Sequence, residues 1–123
     1  MKTQMTAFSL TALLALIGVS AWATSNVGVM PAIQELLAHP AAGFNPWFIA
    51  TLFDAYFGFL WFWLWVAFKE NSNRSRGAWL IAILLAGNMA MAVYVLLDLR
   101  RLPPAAGFKE LLLFRRASAF KDR

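Results

Sequence analysis

A single carboxylate, Asp54, stands inside an apolar run, residues 46–68, that carries no other charge. It lies about eight residues in, or about 12 Å along a helix that rises 1.5 Å per residue. An ionised carboxylate at such depth in hydrocarbon costs about 2.5–3.5 kcal/mol on insertion scales. It must face other helices or water, find donors, or take up a proton. Asn88 sits about ten residues into another apolar run, about 15 Å from the opposite end, and is the natural partner. If the two runs are antiparallel helices, both groups lie at comparable depth. Tyr94 comes within a turn or so of that level, and Ser20 approaches from a third run. Gly58, one turn after Asp54, and Gly87, beside Asn88, would let helices approach closely. Two chemistries fit this group. One is a proton or ligand site centred on Asp54. The other is a polar clasp between helices, with each bond worth about 0.6–2 kcal/mol. The clasp is favoured, because a proton path needs a chain of titratable groups and Asp54 is alone at mid-depth.

Composition excludes most other chemistries. With no cysteine there is no disulfide, thiolate nucleophile or thiolate-held metal. His39 is the one histidine, which excludes an intrachain bis-His haem and a His-rich metal site. No GxSxG, HExxH, P-loop or GxGxxG occurs, and no Ser–His–acid set can be assembled. The expectation is a protein that is not an enzyme and holds no cofactor or metal. Phe57, Phe59, Trp61, Phe62, Trp63, Trp65 and Phe68 crowd one stretch, where a quinone, carotenoid or chlorin could rest. They fall on all sides of a helix, which fits lipid contact and packing better than a cofactor box.

The elements that must hold these residues are set by hydrophobicity. Of 123 residues, 61% are apolar and 14% charged, whereas soluble domains run at about 45–50% and 25%. A chain this short cannot wrap such an excess into a core. Mean hydropathy is +0.61. Three runs, residues 5–23, 46–68 and 78–97, each reach the roughly 20 residues needed to cross a bilayer. The fold class expected is an all-α membrane protein with three transmembrane helices, since a lone strand cannot satisfy its backbone in lipid. Asn45-Pro46 supplies an N-cap and a first-turn proline, and Leu102-Pro103-Pro104 ends the third run. Ala21-Trp22-Ala23 also reads as a signal-peptide cleavage site, but the 19 residues before it exceed a typical apolar core of about 7–15, so retention is expected.

Between the first two runs, Pro31 to Ala38 suggests a short interfacial helix, with Ile33, Leu36 and Leu37 on one face. A three-span domain over residues 1–103 would be followed by a basic amphipathic tail, residues 104–123, lying on anionic lipid headgroups rather than on nucleic acid. Charge gives a conflicting orientation. With the N-terminus inside, Lys2, Lys69, Arg74 and Arg76 are cytoplasmic, and the cation-free residues 24–45 lie outside. Three spans then put Arg100, Arg101, Lys109, Arg115, Arg116, Lys121 and Arg123 outside as well, seven against four, counter to the positive-inside rule. Lys2 before a signal-like first run favours a cytoplasmic N-terminus in a multi-pass bacterial inner-membrane protein.

The residues also resemble a known group. Trp22-Ala23-Thr24-Ser25, the stretch Asn45-Pro46-Trp47 through Asp54-Ala55-Tyr56-Phe57-Gly58-Phe59, Lys69-Glu70, Gly87-Asn88 and Tyr94-Val95-Leu96-Leu97 resemble a family of small bacterial and plant membrane proteins catalogued as a domain of unknown function. The likeness covers about residues 5–103 and rests on a D-x-Y-x-G-F element. It implies a retained first span, and that Asp54, Tyr56, Gly58, Glu70 and Asn88 belong to the family pattern. It implies no activity. Three helices bury little surface, so a homo-oligomer or docking to a larger membrane complex is expected. The first reading of function is a non-catalytic accessory or assembly subunit. The alternative is a small oligomeric carrier or proton-linked transporter using Asp54.

Overall fold

The computed structural model describes residues 1–115, excepting the side chains of Ala42 and Gly43. Every regular element among them is a helix. The order is α1 (Lys2–Asn26), α2 (Val29–Ala38), α3 (Pro40–Gly43), α4 (Pro46–Lys69), α5 (Asn73–Ala86), α6 (Asn88–Arg101) and α7 (Phe108–Leu113). The ends follow local chemistry. Asn45 caps α4 by accepting from the Trp47 N–H at 2.9 Å, with Pro46 at the first helical position. Ser72 caps α5 through the Arg74 N–H. The helix expected from Pro31 to Ala38 is present as α2. Helices α1 and α4 are long and apolar enough to cross a membrane.

The third expected span, residues 78–97, is not one helix. It is divided at Gly87 (φ 54°, ψ −128°), and the two halves fold back on each other. A continuous helix would hold Trp79 and Tyr94 about 22 Å apart at 1.5 Å per residue. Their rings instead meet edge to face at 4.8 Å between centroids. Eight residues before the turn thus face seven after it, which defines an antiparallel helical hairpin. The physical cause is the turn residue. A positive φ at this ψ is open to glycine and not to L side chains. A Cβ here would also come within 2.8 Å of the Phe59 ring of α4. The backbone stays bonded through the bend: the Gly87 N–H donates to Ile83 O at 2.7 Å and the Met91 N–H to Gly87 O at 3.2 Å.

The hairpin sits between the two long helices, with α5 against α4 and α6 against α1. Val66, Ile83, Ala90 and Tyr94 form one buried cluster, with Phe59, Phe62, Trp63 and Trp79 packed around it. Leu99, Leu102, Ala106 and Leu111 form a second, against Met1 and against Met5 of α1. Residues of the expected tail are thus built into the packing of α6. The hairpin tip meets α4 at Phe59, ten residues or about 15 Å from Lys69. Beyond that level the first half of α4 is bare: residues 46–54 and 56–58 are all exposed.

Candidate functional site

The α4–α5 turn is tied before it is used. Arg76 Nε donates to Ala67 O at 2.9 Å, satisfying a carbonyl that the end of α4 would leave open, and Trp63 Nε1 donates to Arg76 O at 2.9 Å. This fixes Lys69 and Glu70 beneath the open end of the hairpin. There, side chains from α4, α5 and α6 converge on a buried polar cluster. Lys69 pairs with Asp98. Its Nζ also donates to Leu111 O at 2.7 Å and lies 4.2 Å from the Trp65 ring. Glu70 accepts from Tyr94 Oη at 2.9 Å through Oε1 and from Ser75 Oγ through Oε2. Lys69, Asp98 and Tyr94 are 0% exposed and Glu70 is 2%.

Each partner comes from a different part of the chain, so the cluster fastens the fold. Lys69 joins the last turn of α4 to α6 and α7, and Glu70 joins α4 to both arms of the hairpin. A side-chain cation at a helix C-terminus is also favoured by the helix dipole. Trp65 adds its indole N–H to Leu112 O at 3.0 Å, so α7 closes over the cluster from outside. Chemically this is a fully enclosed ion pair beside a carboxylate with two hydroxyl donors. Such a set holds charge in place; it exposes no nucleophile. Among the described residues, no group of three His, Cys, Asp or Glu is placed to hold a metal ion.

A family model described as a protein of unknown function (DUF1475) matches residues 6–117. The chain belongs to the DUF1475 family. The match runs past residue 103, where the resemblance read from the sequence stopped, and takes in α7. No curated protein and no solved structure matches the chain.

In this DUF1475 chain the residues expected at one buried polar site, Asp54, Asn88, Tyr94 and Gly58 with the family-pattern Tyr56, are not together. Asp54 is exposed on the bare half of α4, and Asn88 is exposed at the hairpin tip, where it opens α6. Among the described residues no hydrogen bond joins them. Tyr56 is 45% exposed, its ring against Phe59. No atom lies within 4 Å of a Cβ built on Gly58, so no helix approaches closely there. Tyr94 is buried, but its hydroxyl serves Glu70. The reason is geometric: Gly87 meets α4 at Phe59, five residues or about 7.5 Å short of Asp54, and Asn88, one residue on, does not span that gap.

The residues that do cluster were visible in the sequence but unconnected. Lys69 and Asp98 close two different apolar runs. On a straight third span they would sit at opposite ends of it, so their pairing could not be considered. The available signal was the Gly87-Asn88 dipeptide at the middle of the run, a turn signature.

Asp54 nevertheless has a defined outlook. Asp54, Gly58, Phe62 and Trp65 follow at i, i+4, i+8 and i+11, one stripe of α4. Phe62 and Trp65 both pack edge-on to Tyr94 of α6, at 6.2 and 5.9 Å. Asp54 continues that stripe beyond the hairpin tip. An apolar cleft of about 530 Å³ between α1 and α6 is lined by Ser9, Ala12, Leu16, Phe62 and Ala92, and reaches Asn88.

Proposed function

We propose that this chain is a small integral membrane protein acting as a non-catalytic subunit of a larger membrane complex, docked through the first half of α4. Membrane residence is supported by the bareness of α1 and α4. Only 6% of the most apolar 18-residue stretch of either helix is buried, where the core helix of a soluble protein would be covered. The observation that carries the docking role is Asp54, exposed on an apolar helix and with no hydrogen bond or ion pair among the described residues. An uncovered carboxylate in hydrocarbon is unfavourable, and such groups are met by donors from neighbouring protein. A second copy offers no cation at that level, because no Lys or Arg occurs between Lys2 and Lys69 or between Arg76 and Arg100. The partner proposed is a different polypeptide, one that presents a basic side chain to Asp54.

The test is site-specific photocrosslinking from Phe53 or Phe57 in native membranes. A discrete adduct to another membrane polypeptide, lost in Asp54→Leu and kept in Asp54→Asn, is expected. Adducts to lipid alone, unchanged by Asp54→Leu, would sink the docking reading. A carrier working through Asp54 is favoured by one observation, the hairpin that stops part-way along α4, since backbone bends at membrane depth are tolerated where they line protein or a water-filled cavity. Purified chain in liposomes showing pH-driven flux abolished by Asp54→Asn would select that reading instead.

A further inference from the structure

The geometry points to a chain that crosses the membrane twice, with α5–α6 entering and leaving as a re-entrant hairpin, so that both described chain ends and every described cation lie at the anionic cytoplasmic side. This rests on the membrane reading above and adds its topology.

Two independent observations carry it. The first is the hairpin. Each arm has 14 residues, about 21 Å, which is short of a hydrocarbon core of about 30 Å. The hairpin's open end is locked to the Lys69 end of α4 by the Lys69–Asp98 pair and by Glu70. Residues 70–72 and 102–107 therefore lie on one side of the protein. The start of α1 lies there too, since Lys2 Nζ donates to Leu102 O at 2.6 Å.

The second observation is charge. Of the 11 basic residues, eight are among the described ones: Lys2, Lys69, Arg74, Arg76, Arg100, Arg101, Lys109 and Arg115. All stand at this end. Arg74 and Arg76 are in the first turn of α5, Arg100 and Arg101 in the last of α6, and Arg115 lies over the Phe68 ring at 4.8 Å. Residues 24–45, at the other end, contain none. A three-span path divides these eight cations four against four, with no bias to either side. The hairpin path puts all eight on one side, as the positive-inside rule requires, with each surface cation worth about 1 kcal/mol against anionic lipid.

The absence of cysteine makes the test direct. Single substitutions Ser25→Cys, Asn71→Cys and Ala105→Cys all fall at exposed positions. Each full-length variant is expressed in bacterial cells and labelled with a membrane-impermeant maleimide in intact spheroplasts and in inverted vesicles. Ser25→Cys is expected to label in spheroplasts, and Asn71→Cys and Ala105→Cys only in inverted vesicles. Labelling of Ala105→Cys alongside Ser25→Cys, with Asn71→Cys on the opposite side, would overturn the hairpin in favour of three spans. Labelling of Asn71→Cys and Ala105→Cys from outside would overturn the sidedness. Release of the protein by alkaline carbonate fails the membrane reading itself, a result distinct from either.

Discussion

The two halves of α4 treat a carboxylate oppositely. At its C-terminal end, Glu70 and the Lys69–Asp98 pair are enclosed, with donors and acceptors from α5, α6 and α7. In its N-terminal half, Asp54 has no packed neighbour from the described chain. The difference teaches where the chain is complete by itself. Burial of charge is tolerable only when partners satisfy it. The cluster at Lys69 is satisfied internally and so belongs to the fold. Asp54 is left exposed, and it is there that the proposed partner docks.

Breaking that contrast from the enclosed side should give the largest effect. Lys69→Ala removes the cation paired with the buried Asp98, and a loss of about 3–5 kcal/mol is expected in reversible denaturation in detergent. The joint change Lys69→Met with Asp98→Leu should recover most of it; no recovery would mean that the pair does more than neutralise itself. Tyr94→Phe removes one donor to Glu70 while Ser75 remains, and about 1.5–3 kcal/mol should be lost in the same assay. Gly87→Ala forces an L residue into a glycine-only conformation against Phe59, at about 1–3 kcal/mol. It should also weaken the Trp79–Tyr94 contact, read by tryptophan fluorescence. Asp54→Leu is the smallest, within about 0.5 kcal/mol for the isolated chain, since the side chain is exposed. A large loss there would erase the distinction between the halves.

Much of this fold was legible. The runs over residues 5–23 and 46–68 became α1 and α4 because uninterrupted apolar length is a strong signal. Asn45-Pro46 and Leu102-Pro103 marked ends that backbone chemistry enforces. The third run misled because its 20 apolar residues match a span, and glycine is common enough in membrane helices that Gly87 did not stand out. Once Gly87 is taken as a bend, Asp98 returns to Lys69, so one dihedral angle decides that pairing; Asn88, beside the hairpin tip at the level of Phe59, falls short of Asp54 with or without it. The seven-against-four division of cations was the trace of that bend in the composition. The tail was expected as a surface helix. Its start, α7, is instead partly buried through Leu111, and Arg116, Lys121 and Arg123 lie outside the described residues.

The bond from Lys69 to Leu111 O has a consequence for how the protein is made. Synthesis runs from the N-terminus, so Lys69 leaves the ribosome 29 residues before Asp98 and 42 before Leu111. Through that interval α4 ends in an uncompensated ammonium. The charge can wait only in water or among headgroups, which holds that end of the helix at the surface while the rest of the chain emerges. The hairpin is then drawn back to the same surface by the charge it must neutralise, and α7 seals the pair only once Leu111 has emerged.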